Sequence, residues 1–434
     1  METCRLPQPR AHRDMIRLQD LNATPTQVFA ALSFDRGSMK IRYAKIRHSE
    51  IRRTAFAAIA AAFSVIAVTL ALCGPCSAGH ATNAKPETQR RMVIIDQDAF
   101  GPAGSNLQAI LLLLQASDVE VLGITIVSGD GWRDEEVDHT LRLLEIAERP
   151  DVPVIPGAVL PLVNSAARTT AWESLYGKLI YKGAWMENWP VQGAVRRTPH
   201  PSDPYLVPPS PAGAPHIKAA VDTAANFLIR ELRRHPGQVT IIAAGPLTNL
   251  ALAARLDPEV SRLAKELVFM GGSFNPRPST NAFAAEYANA PRREFNMRWD
   301  PEAASMVLHE PWRKITQVPI DPTTKTLFTP DMRKRIGQGN APFAAYIDKF
   351  GQSFPMWDEL AVAAWLDPSI VTVDKQLLVD VDTSFTAGYG DTLSWSVGEG
   401  PGLGERPVHV VLDIDLAKFE ALTVDLLSRR APRH

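Results

Sequence analysis

From Met92 onward the chain alternates short, continuously apolar runs with longer amphipathic ones, and nothing else in it limits the fold as strongly. The runs "RMVIID", "VEVLGITIVSG", "VPVIPG", "VTIIAAG" and "ELVFMGG" read as strands. The runs "LQAILLLLQ", "DEEVDHTLRLLEIAE" and "AAVDTAANFLIRELRRHPG" read as helices, the second with its acids in the first turn, where the helix dipole favours them. Strands without polar alternation are buried on both faces. The pattern therefore predicts an α/β fold: an open, mostly parallel sheet with helices on both faces. Such sheets bind ligands beyond the carboxyl ends of their strands. The strands here end in Asp96 and Asp98, in Gly129 and Asp130, in Gly245, and in Gly271 and Gly272, so the site is expected among these residues.

The residues before Met92 follow no such pattern. Residues 1–38 lack a sustained period and read as disordered, or as a mis-assigned start with Met39 as the true one. A basic stretch ("MKIRYAKIRHSEIRR"), an uncharged apolar run ("TAFAAIAAAFSVIAVTLAL") and small residues ("CGPCSAGHA") follow in order. That order predicts a signal peptide over 39–81 and export to the periplasm or beyond. A retained membrane anchor is the alternative, because the apolar run approaches the length of a spanning helix. All three cysteines (Cys4, Cys73, Cys76) lie in this leader, which excludes a disulfide framework, thiol catalysis or a thiolate zinc site downstream. A net charge of -1 gives no electrostatic footprint for nucleic acid. Residues 91–430 read as one catalytic domain with a Pro/Trp-rich insertion at 172–215, whose "PHPSDPYLVPPSPAGAP" excludes regular structure.

The stretch "VIIDQDAFGPAGSNLQAILLLL" ends a buried strand with two carboxylates, Asp96 and Asp98. Side chains alternate along a strand, so the two converge only if the chain leaves the strand there. One reading is that either acid caps the following turn or helix. The other is a metal site. "SFPMWDELAVAAWLDPSIV" places Asp358 ahead of a helix and "PIDPTT" places Asp321 after a strand. Hard oxygen donors gathered from separate loops suit calcium.

Four segments carry a resemblance in order and spacing: "AAGPLTNLALAARLDPEV", "ELVFMGGSF", "REFNMRWDPEAASMVL" and "WDELAVAAWLDPSIV". Together they resemble the inosine-uridine preferring nucleoside hydrolases, calcium-dependent N-ribohydrolases with an open α/β fold, over residues 92–429. The resemblance implies that Asp98 is the base that activates water and also touches calcium, with Asp96 in support. It implies metal ligands Asp98, Asn106, Asp358 and the carbonyl of Ala244. Glu294 and Asn296 would grip sugar hydroxyls, with Ser105, Asp130 and Asn289 as further substrate contacts. This chain departs from the family's first motif. The turn is longer, and two adjacent aspartates are replaced by Ser105 and Asn106. Asn106 offers one oxygen and no charge, so weaker metal binding is expected. Trp357 stands where many members have a histidine acid. A purine-preferring subgroup has Trp there, stacked on the base. Trp172 is the substrate-facing candidate for the base's other side, with Trp132 and Trp185 as alternatives and simple packing as the competing role for all three.

The expected function is hydrolysis of the N-glycosidic bond of ribonucleosides, purines preferred, to free base and ribose, by a homo-oligomer. Three alternatives stand beside it. One is an impaired protein that binds nucleoside or another ribosyl compound. The second is a hydrolase of another N-glycoside. The third is an envelope scaffold, against which Asp98, Asp358, Glu294 and Asn296 argue.

Overall fold

The computed structural model describes residues 90–186, 202–276 and 290–431, and the backbone alone of 30–35 and 38–43. The chain divides into two compact units, Met1–Lys85 and Pro86–His434. In the first, β1 (Ala30–Asp35) pairs antiparallel with β2 (Ser38–Tyr43), so strand pairing spans the sequence-derived boundary between a disordered start and a basic stretch. The apolar run at 54–72 lies outside the described residues. Among the described residues no helix is long and apolar enough to cross a membrane.

The second unit is built on nine strands: β3 (Arg91–Gln97), β4 (Val119–Ile126), β5 (Val154–Pro156), β6 (Val239–Ala243), β7 (Glu266–Met270), β8 (Ile315–Val318), β9 (Val371–Val381), β10 (Thr392–Ser396) and β11 (Pro407–Ile414). Their order is β10-β9-β11-β8-β7-β6-β3-β4-β5. Pairing is parallel from β11 through β5, as the apolar runs predict. The far edge is antiparallel, with β9 between β11 and β10.

Along β3 successive side chains feed opposite faces. Val93 and Ile95 join one core with Leu107, Leu111, Leu360 and Phe419. Ile94 joins the other with Phe227, Leu250, Phe269 and Ala303. Each such side chain contributes about 1.5–3 kcal/mol when fully buried, so a shift of register by one residue in β3 would sacrifice both cores. The helices that matter for the site are α1 (Ser105–Gln115), α2 (Arg133–Ile146), α3 (Ala166–Tyr176), α4 (Ala224–Arg234), α5 (Thr248–Leu256), α6 (Phe295–Trp299), α7 (Pro301–His309), α8 (Trp357–Leu366) and α9 (Leu416–Ser428). Every residue of α1 is buried, between the sheet and helices α8 and α9. A helix apolar on nearly all sides requires that position. The insertion opens in the last turns of α3, and residues 202–223 contain neither helix nor strand, as the prolines predict.

Candidate active site

The acids at the end of β3 do different things. Asp96 turns toward β4 and α5. One of its oxygens accepts from Thr125 Oγ1 (2.5 Å) and Asn249 Nδ2 (2.7 Å). The other is buried without a partner. Burial pushes its carboxyl up to about 7 against those two hydrogen bonds. At Asp98 the chain leaves the strand. Its Oδ1 accepts from Asn106 Nδ2 at 3.1 Å and its Oδ2 from the Asp130 main-chain N–H at 3.0 Å. A Cβ on Gly129 would sit 2.2 Å from Asp98 Oδ2, so only glycine lets that loop approach the acid. Burial, then the charges of Asp130 and Asp358, hold the Asp98 carboxyl well above its ordinary range. The long turn after it is pinned at two points. Gly101 N donates to His139 Nδ1 (2.9 Å) and Ala103 N to Tyr346 Oη (2.7 Å). Helix α1 therefore starts with Ser105 and Asn106 facing the site.

Helix α8 presents Asp358 and Glu359 in its first turn, and both are buried. Gln97 joins this helix to α1: its Nε2 donates to Asp358 Oδ2 (3.0 Å) and to the Asn106 carbonyl (3.2 Å). Ser105 joins them a second time. Its Oγ accepts from Asp358 N (3.2 Å) and donates to Glu359. Ser105 therefore does not stand as the free substrate contact expected of it; its hydroxyl is committed between the two helices. Burial raises the Asp358 carboxyl well above the ordinary range, helped by Glu359, and pushes Glu359 up to about 8.

Across the site, Glu294 caps α6. It accepts from Gly272 N (3.0 Å), Asn296 N (2.9 Å) and Met297 N (3.1 Å), yet burial carries it up to about 7. Asn296 Nδ2 donates to the Met270 carbonyl (3.2 Å) and reaches the Ala244 carbonyl at 3.5 Å. Ala244 itself is registered by its N–H to the Asp96 carbonyl (2.9 Å). The carboxyl ends of β3, β4, β6 and β7 thus bring Asp98, Asp130, Ala244, Asn296 and Glu294 together, with Asp358 and Asn106 closing from α8 and α1.

The family profile described as inosine-uridine preferring nucleoside hydrolase matches residues 93–421. This chain belongs to that family. It is 28% identical over 357 residues to the inosine-uridine preferring nucleoside hydrolase of Leishmania major, covering 78% of this chain and 98% of the relative. It is 29% identical over 357 residues to uridine nucleosidase 1 of Arabidopsis thaliana, covering 78% and 93%. The plant nucleoside hydrolase PpNRh1 superposes with a TM-score of 0.59 at 23% identity, over 78% of this chain and 99% of that one, and shows the same fold. The chain is a ribonucleoside hydrolase, of a metal-dependent family, acting on small nucleosides.

The tryptophans of this nucleoside hydrolase divide. Trp357 is half-buried at the first position of α8, beside Phe354 at 6.5 Å and directly before Asp358. Trp172 is corrected from a base-facing residue to a packed one. It is 2% exposed, its Nε1 donates to the Thr386 carbonyl (2.7 Å), and the Arg293 and Arg298 guanidiniums lie over its ring. Trp132 and Trp185 pack on Trp299, Trp185 stacked at 3.9 Å. Asp321, the other acid at a strand end, accepts from Phe274 N (3.0 Å) and Asn275 N (2.7 Å). Asn289 lies outside the described residues. Sequence reasoning overlooked Gln97, Glu359 and Tyr181, the last of which donates to Asp130 Oδ1 at 2.6 Å.

The donor set fits a hard cation. Asp98 and Asp358 are buried, and the charges acting most strongly on each are other acids, an arrangement that a bound cation relieves. The remaining donors are a carbonyl and an amide oxygen, which calcium accepts. Apart from this site, among the described residues His309, Asp380 and Glu405 bring three ligand atoms within 4.8 Å of one another at a partly exposed position.

Proposed function

We propose that this hydrolase prefers purine ribonucleosides and works with calcium held by Asp98, Asp358, Asn106 and the Ala244 carbonyl. The observation that carries this reading is the burial together of Asp98, at the end of β3, and Asp358, in the first turn of α8, with Glu294 and Asn296. When bound, the ion offsets the charge of the two acids and orients sugar hydroxyls and water. Asp98 would take a proton from that water as the general base. The oxygen of the water would attack the anomeric carbon as the C–N bond breaks, and the departing base would keep the bonding pair and take a proton from solvent water. Glu294 and Asn296 hold the sugar hydroxyls, so a ligand lacking them leaves buried polar groups unpaired. Trp357 supplies a face for the purine rather than an acid.

The test is ribose release from a panel of purine and pyrimidine nucleosides, with calcium and with a chelator. The panel includes uridine and inosine because the relatives' names point to both. Loss of turnover in chelator and its recovery only with calcium support the assignment of the ion. A second reading, a protein that binds ribosyl compounds without cleaving them, is favoured by one observation. Amide N–H groups of Asn106 and Gln97 occupy oxygens of both Asp98 and Asp358. Tight nucleoside binding with no ribose released would select it. The leader supports export of the mature chain, and mass spectrometry of the native N-terminus tests it.

A further inference from the structure

Residues 178–186 run beside the site and are tied at several points. At their start, buried Glu173 of α3 accepts from Leu179 N (3.0 Å) and pairs with Lys178 (3.4 Å) and Lys182 (3.3 Å). In the middle, Ala184 N donates to the Gly129 carbonyl (2.9 Å). Gly183 has φ +54°, and a Cβ there would meet that carbonyl at 2.1 Å and Phe295 at 2.5 Å, so the backbones touch as only glycine allows. At the end, Trp185 stacks on Trp299. Tyr181 sits between the two halves of the site. Its ring lies 4.7 Å from Phe295, the residue between Glu294 and Asn296. Its hydroxyl donates to Asp130 Oδ1 (2.6 Å), and Asp130 N holds Asp98 Oδ2 (3.0 Å).

We propose that 178–186 form a positioning strap, and that the Tyr181 hydroxyl, acting through Asp130, sets Asp98 against the sugar-holding pair Glu294 and Asn296. The proposal deepens the hydrolase reading and rests on it for the reaction, though not for the positioning. Tyr181 is a positioning residue. Removing its hydroxyl takes this hydrogen bond from Asp130, and the loop that carries the N–H to Asp98 loosens. Groups that orient a reacting or metal-bound residue in this way typically contribute 10–100-fold in activity.

The experiment compares the parent with Tyr181→Phe, which keeps the ring, and Tyr181→Ala, which removes it. Ribose release from the parent's best nucleoside is measured beside amide hydrogen exchange over residues 127–132. Tyr181→Phe is expected to lower kcat about 10–100-fold, with a much smaller change in KM and an unchanged melting temperature, and to speed exchange over 127–132. A Tyr181→Phe enzyme with parental kcat and exchange, while only Tyr181→Ala falls, would show packing alone and overturn the proposal. Exchange that speeds up with kcat unchanged overturns it as well. A parent that releases no ribose from any nucleoside defeats the hydrolase reading. The exchange result still decides whether Tyr181 positions the Asp98 loop.

Discussion

Asn106 Nδ2 donates to Asp98 Oδ1 across 3.1 Å, so the residue proposed for the family's acid position is a neutral partner of the proposed base. That exchange quiets the site in the absence of a cation. A carboxylate at 106 would face Asp98 at hydrogen-bond distance and add to the repulsion already raising it. Asn106→Asp is therefore expected to lower the melting temperature in chelator. With calcium the sign reverses, because the new acid brings a second oxygen and a charge to the ion. Calcium Kd should tighten about tenfold, equivalent to roughly 1.4 kcal/mol. Calorimetric titration checks it, and an unchanged Kd removes Asn106 from the ligand set.

Asp98→Asn keeps the shape and can still accept from Asp130 N, but it cannot take a proton. Loss of a general base typically lowers the rate by about 10²–10⁴-fold. The variant should fold with the parent's circular dichroism and show kcat reduced by that range. A reduction below about fivefold would leave less than the base contribution and move the base role elsewhere.

Much of the fold was legible because the parallel strands announce themselves as unbroken apolar runs. β9 and β10 do not: β9 is exposed over much of its length, so its sequence carries no core signal. Asp98, Asp358, Glu294 and Asn296, singled out through the family resemblance, are all buried in the fold. Gln97 was not singled out, because it looked like a spacer between two acids, while strand alternation aims it away from them toward α1 and α8. Glu359 has no motif of its own in the sequence, and only the fold brings Ser105 to it. Tyr181 lies in a stretch without period and meets Asp130 51 residues away. Trp172 misled because its type suits stacking on a base as well as it suits a buried pocket under two arginines.

The Glu294 carboxyl gives the metal-free protein a pH dependence. Burial lifts it from an ordinary 4.5 to about 7. Above pH 4.5 the unfolded chain loses this proton while the folded chain keeps it. Stability therefore falls as pH rises, and the fall ends once pH passes the folded value. For this one group the loss is at most roughly 3 kcal/mol. Glu294→Gln has no proton to lose; its single amide oxygen can still accept from Gly272 N and Met297 N, which share Oε2, while Asn296 N, bonded to Oε1, loses its acceptor, so the variant is less stable at every pH. Its melting temperature in chelator should decline less between pH 5 and pH 8 than the parent's. Equal slopes would mean that Glu294 is ionised throughout.

Trp357 offers the sharpest test of base choice. It begins α8, is half-buried beside Phe354, and immediately precedes Asp358. Its indole N–H is a hydrogen-bond donor but far too weak an acid to protonate a departing base, so release must rely on a base that accepts a proton readily, and stacking favours the larger purine. Stacking on an aromatic side chain contributes roughly 1–3 kcal/mol per base, or about one to two decades of rate when realised in the transition state. Trp357→Ala should lower kcat on inosine or guanosine by that factor. It should leave nitrophenyl riboside, whose leaving group needs no help, nearly unchanged. An equal loss on both substrates would show that Trp357 serves only to hold Asp358 in place. Comparable kcat/KM for uridine and inosine in the parent would sink the purine preference.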